Sequence, residues 1–176
     1  DDLLLAVARP TERVVASFKC SPDFDIHLLD AALLRYFKLD IGDEWLVDAE
    51  GCVESEAMRR ALALCLDLMQ AGGFPIFDMP LMSCVNAAGE GVKKFELQMQ
   101  WVFGATPEMY QRAVSNALKI TLALGVEHDP AFPRHAQERL NRTVVLPIRQ
   151  ALRFSPSTLP ILREMHRCDI PYEHLG

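Results

Sequence analysis

Apolar and polar residues alternate most regularly between Val92 and Phe103, where Phe95, Leu97, Met99, Trp101 and Phe103 fall on every second position with Glu96, Gln98 and Gln100 between them. A period of two puts one set of side chains on one face, so the stretch predicts a β-strand with that face buried. The apolar segment Gly73 to Val85 precedes it, interrupted by Pro75 and Pro80, and Asn86-Ala87-Ala88-Gly89-Glu90-Gly91 between them has turn chemistry. Together they predict a long β-hairpin over about residues 74–103.

Other segments follow the helical period or short strand alternation. Arg13 to Cys20 places Val14, Ala16, Phe18 and Cys20 on one face and predicts a first strand. Ser21-Pro22 is a cap followed by proline, a start signal for a helix running to about Lys38 along Ile26, Leu29, Leu33, Leu34 and Phe37. Trp45-Leu46-Val47 predicts a short strand. A second helix is expected from about Glu54 to Ala71, with Met58, Ala61, Leu62, Cys65, Leu66 and Met69 as its stripe and Gly72-Gly73 as its stop. Thr106-Pro107-Glu108 opens a third helix to about Leu124. A fourth spans roughly His135 to Phe154, bent at Pro147, and a fifth covers about Leu159 to Cys168 after the break at Ser155-Pro156-Ser157. The order β-α-β-α-β-β-α-α-α predicts an α+β fold: a mainly antiparallel sheet built around the hairpin, with about five helices packed on it.

Composition narrows the class. The 176 residues, half hydrophobic and a quarter charged, suit one globular domain over 1–176. Apolar runs fall far short of the roughly 20 residues of a membrane-spanning helix, so no membrane association is expected. The start, Asp1-Asp2-Leu3, lacks both an initiator Met and a signal-peptide pattern, as expected of a fragment of a longer chain. The five cysteines are scattered and form no CxxC pair, which argues against a disulfide framework or a zinc site. Reduced thiols in an intracellular compartment follow, cytoplasmic by default, with an organelle also compatible.

The net charge of −6 argues against a general nucleic-acid binder, but it averages over an asymmetry. Residues 21–60 carry ten acidic and four basic side chains, whereas 131–168 carry seven arginines against Glu138 and Glu164. His135, Arg139, Arg142, Arg149 and Arg153 are spaced by four, three, seven and four residues, which aligns them along one face of a regular helix. Arginine's planar fork suits carboxylates and phosphates, so these five residues are the expected anion or partner site. A solvated helix face, partly neutralised by the acidic 21–60 segment, is the competing account.

Other polar combinations are less specific. His128-Asp129 near His135 has the elements of an oriented base, without a nucleophile motif around Cys52, Cys84 or Cys168. His166, Cys168 and His174 lack the second paired cluster of a metal site, and neither Gly72-Gly73 nor Gly89-Glu90-Gly91 fits a phosphate loop. No catalytic residue, metal site or cofactor is therefore assigned. The expected function is a non-catalytic protein-interaction domain, or a subunit of an intracellular assembly, that binds an acidic partner through the arginine-lined face. Self-association through the acidic and basic regions is a related arrangement. The alternative is an enzyme or small-ligand binder with a pocket between hairpin and helices, and an RNA-binding accessory domain ranks third.

Overall fold

The computed structural model describes residues 11–41, 52–102, 104–151 and 158–168. Three strands, β1 (Thr11–Phe18), β2 (Leu81–Asn86) and β3 (Lys93–Gln100), form an antiparallel sheet in the order β1-β3-β2. Around it lie α1 (Ile26–Ala32), α2 (Val53–Gly72), α3 (Pro107–Leu124), α4 (Phe132–Leu140), α5 (Leu146–Ala151) and α6 (Thr158–Arg167). A π-helical stretch extends α1 over Leu33–Phe37, and another joins α4 to α5 over Asn141–Val145, so among the described residues the helices make five rods. The α+β class, the antiparallel sheet and the approximate element order agree with expectation. The strand expected at Trp45–Val47 lies outside the described residues.

β3 is central, its backbone paired with β1 on one edge and β2 on the other, while its alternation sends one set of side chains to the covered face. Val14 lies opposite Leu97 on β1, and Cys84 lies opposite Phe95 on β2. Residues directly opposite share a face. Val14, Phe95, Leu97 and Met99 therefore form one covered face, each 1% exposed or less, against which the helices pack. Phe18 stacks on Phe95 with ring centroids 5.2 Å apart. The opposite face, with Arg13, Glu96 and Gln98, stays open and holds the Arg13–Glu96 ion pair at 2.7 Å.

The hairpin is shorter than its apolar content suggested. It begins at Leu81 rather than near residue 74, because Pro75 and Pro80 cannot donate to a ladder. Phe74 and Ile76 are nevertheless fully buried, and the Gln70 amide donates to the Ile76 carbonyl at 2.7 Å, which holds this irregular segment on α2. Trp101, expected in the buried row, lies beyond the end of β3 and is 39% exposed. Phe103 is outside the described residues.

α2 is the hub. Besides its predicted stripe it buries Leu64 and Leu68, and α1, α3 and α5 all pack on it. Such all-round burial requires close approaches. The Cβ of an alanine at Gly72 would come within 2.6 Å of Ile148 on α5. Gly73 then ends the helix in the left-handed conformation at φ 108°.

The first helix starts later than Ser21-Pro22 implied. Those residues form a turn closed by Phe24 N–H to the Ser21 carbonyl at 3.0 Å, and the cap is Asp25, whose carboxylate accepts from the N–H groups of His27 and Leu28. The fourth helix starts earlier than His135, at Phe132, since Pro133 fits a first turn that needs no donor there. Its expected bend at Pro147 takes the form of the π-helical stretch, which widens the ladder around Thr143, the residue whose carbonyl the proline ring would otherwise strike.

Candidate functional site

The α4–π–α5 rod is held to the protein by Ala136, Leu140, Val144, Val145 and Ile148, all buried. The Gln137 amide donates to the Tyr36 carbonyl and fastens the rod's outer side to the π-helical end of the first helix. Between these anchors Arg134, His135, Arg139 and Arg142 are exposed. Among the described residues no ion pair reaches any of the four.

Arg149 has a different setting. An α-helix turns about 100° per residue, and a π-turn adds roughly one residue to the turn, so positions after Val145 are rotated by about that amount relative to positions before Asn141. The π-helical stretch therefore offsets Arg149 from the line of Arg139 and Arg142. Its Nε and one terminal nitrogen donate to the Ala71 carbonyl at 3.2 and 3.0 Å. Ala71 is in the last turn of α2, where carbonyls lack helical partners and a cation is favoured. Arg153 lies outside the described residues.

Two of the described acidic residues of the 21–60 segment form ion pairs, and both partners lie in that part of the chain. Asp30 binds Arg60, and Glu56 binds both Arg59 and Arg60. The acidic and basic halves are thus not neutralised against each other through Arg139 or Arg142.

Two surface depressions lie beside the rod and the sheet. A groove of about 500 Å³ between β1 and α3 is lined by Glu12, Arg13, Glu108, Gln111 and Arg112, and a pocket of about 140 Å³ between α3 and the rod by Met109, Arg112, Thr143 and Pro147. Neither lies between the hairpin and the helices, where the alternative reading expected a pocket. The start of α3 already holds an anion, since the Glu108 carboxyl is kept below its ordinary range by its own backbone N–H and by the Thr106 hydroxyl.

His128 and Asp129 serve the loop in which they sit. The Glu127 carboxylate accepts from both their backbone N–H groups at 3.0 Å, and the Asp129 carboxylate accepts from Ala131 N–H at 2.9 Å. His166 pairs with Asp78 at 3.0 Å and packs on the Phe77 ring. No group of three or more His, Cys, Asp or Glu is placed to hold a metal ion among the described residues, and none of their helices is long and apolar enough to cross a membrane.

One association is invisible to spacing rules. Cys20 after β1 lies beside the start of α2, where Cys52 meets Ser55. The Cys52 sulfur is 3.3 Å from the Ser55 hydroxyl, and burial, followed by the nearby Glu54 and Cys52, pushes the Cys20 thiol up to about 12. The Cys20 N–H donates to the Glu54 carboxylate at 3.2 Å. The only sequence hint was that Cys20 continues the apolar row of β1. Comparison with protein-family models, with curated proteins and with solved structures finds no match to this chain.

Proposed function

We propose that the domain is a non-catalytic interaction module that binds an acidic protein partner through the exposed face of α4, with His135, Arg139 and Arg142 at its centre. One observation carries this reading: Arg139 and Arg142 are exposed side by side on a helix whose other face is buried, and neither is ion-paired among the described residues. Guanidinium groups in that state keep their donors for a carboxylate from outside, and charged surfaces of this kind steer association. Arg149 borders this face while supporting α2.

The test is binding of a fluorescently labelled polyglutamate peptide, followed by anisotropy at low and physiological salt. Arg139→Glu with Arg142→Glu should weaken binding at least about tenfold, and binding by wild type should weaken as salt is added. Arg167→Glu on α6 should change little. Equal binding by the double variant would reject the α4 face. Binding of single-stranded RNA in preference to the peptide, with a steep salt dependence, would favour the nucleic-acid reading instead.

A further inference from the structure

We propose that the free edge of β2 is a self-association surface, where a second copy of this chain adds its own β2 antiparallel about a two-fold axis at Ser83 and joins the two sheets into one. The inference is independent of the arginine face. It starts from which main-chain groups of β2 are already used. In an antiparallel pair, alternate residues turn their N–H and C=O groups towards the same neighbour. Ala87 N–H donates to the Val92 carbonyl at 3.0 Å, and with Asn86 opposite Lys93 this fixes the alternation: Leu81, Ser83 and Val85 turn these groups to β3, while Met82, Cys84 and Asn86 turn theirs outwards. β1 obeys the same parity. The carbonyl of Val15, which lies opposite Glu96 and so points away from β3, is the one that takes the Gln111 amide of α3 at 3.5 Å.

The two edges of the sheet differ in protection. α3 packs beside β1 and Gln111 occupies an outer carbonyl there. Among the described residues no hydrogen bond reaches the outward main-chain groups of β2. Sheet edges are ordinarily kept from pairing by charge, by proline or by a covering element. β2, reading Leu81-Met82-Ser83-Cys84-Val85-Asn86, has no charged side chain and no proline, and the hairpin's Lys93 and Lys94 belong to the central strand instead. On the open face Leu81 is 71% exposed and Val85 53%, with Ser83 between them.

Self-complementarity names the occupant. With Ser83 opposite its own copy, Leu81 of each chain faces Val85 of the other, in pairs that exchange no main-chain bonds and whose side chains therefore lie close. Met82 of each chain then stands opposite Cys84 of the other, and these outward-turned residues supply the main-chain bonds on both sides of the axis. Moving the axis to Cys84 would set Val85 against Ser83 and Leu81 against Ala87, which leaves the apolar side chains unmatched. The antiparallel direction also places the Lys93 and Lys94 ends of the two hairpins away from each other. A seam of two short strands is at the small end of specific interfaces, so the dimer is reversible and depends on concentration.

Sedimentation velocity of the wild-type chain from about 1 to about 500 μM should show monomer–dimer exchange. Ser83→Lys sets like charges directly opposite each other across the axis and should weaken the dimer at least about tenfold. Within one copy the substituted side chain lies opposite Glu96, which suits a cation, so the monomer should keep its fold. Val15→Lys lies opposite the same Glu96 on the protected edge and should dimerise like wild type. So should Arg139→Glu with Arg142→Glu, which separates this surface from the α4 face. In a chain with Cys84→Ser and Cys168→Ser, Ser83→Cys should give a disulfide-linked dimer in air, because residues facing each other in such a pair are within disulfide reach, and Val15→Cys should not. A chain that stays monomeric throughout would overturn the proposal and leave the edge to an extended segment of a different protein. Dimers that survive Ser83→Lys, or a Ser83→Cys chain that links no faster than Val15→Cys, would overturn it as well.

Discussion

Arg60 grips Asp30 at two points, from Nε to one carboxylate oxygen at 2.5 Å and from a terminal nitrogen to the other at 2.8 Å, and so joins α2 to α1. The third nitrogen donates to the Glu56 carboxylate at 2.8 Å and to its carbonyl at 3.2 Å. Burial by itself would lower the pKa of the guanidinium, but the bonds to Asp30 and Glu56 outweigh it and leave the pKa raised. Arg60 is 5% exposed, whereas the Asp30 side chain is 35% exposed. Arg60→Ala should therefore cost about 3 kcal/mol, the low end for a buried pair because Asp30 is recovered in part by water. Urea unfolding checks this, and a loss within about 0.5 kcal/mol would show that the grip does not stabilise the fold.

Tyr110 closes the passage from β3 to α3. Its hydroxyl accepts from Val102 N–H at 2.8 Å and donates to the Gln100 carbonyl at 3.0 Å, and its ring stacks on Phe74. Tyr110→Phe leaves both backbone groups short of a partner and should cost roughly 1–2 kcal/mol. Burial raises the folded pKa of this phenol above its ordinary 10.0. The stability linked to its proton is therefore fully present below about pH 10, the unfolded pKa, and is lost as pH rises from there through the higher folded value. Ultraviolet titration should find one tyrosine that ionises only at higher pH or on unfolding, and Tyr110→Phe should remove that transition.

The contact between Gly72 and Ile148 sets how closely α5 approaches α2. A methyl at Gly72 would fall 2.6 Å from Ile148 Cγ2 and 2.7 Å from its Cβ. Gly72→Ala should lower stability by about 1–3 kcal/mol despite alanine's better helix propensity. Adding Ile148→Ala removes Cγ2, the nearest clashing atom, but keeps Cβ, so it relieves part of the clash, and in a double-mutant cycle the two losses should sum to more than the double variant shows. Strict additivity in thermal unfolding would contradict the close approach.

Arg149 and Arg142 should separate cleanly by stability. Arg149→Ala removes both donors to the Ala71 carbonyl and should cost about 1 kcal/mol, while Arg142→Ala should stay within about 0.5 kcal/mol. Chemical denaturation of the two variants decides it. Equal losses would mean that Arg142 is structural, and it would then be a poor candidate for partner binding.

Where the sequence carried local chemistry, it located elements closely. α2 and α3 begin and end within a residue or two of expectation, because Gly73 and Thr106-Pro107 act on their own neighbours. The buried row Phe95, Leu97 and Met99 follows directly from alternation. Ser21-Pro22 misled because Asp25, with a carboxylate able to reach two backbone N–H groups, is the better cap a few residues on. The arginine spacing was measured on a regular helix, and the π-helical stretch at Asn141–Val145 offsets its second half.

By itself the sequence determined the helices with strong caps, the central strand, the antiparallel hairpin and the segregation of arginine into one late segment, since each depends on residues within a few positions of one another. Tertiary structure alone decided that β1 crosses to the far side of β3, that Arg60 rather than the α4 arginines meets Asp30, and that Cys20 lies beside Glu54 at the start of α2. Those outcomes depend on which apolar faces close on α2 and β3. That closure joins residues tens of positions apart, and no period or motif along the chain records it.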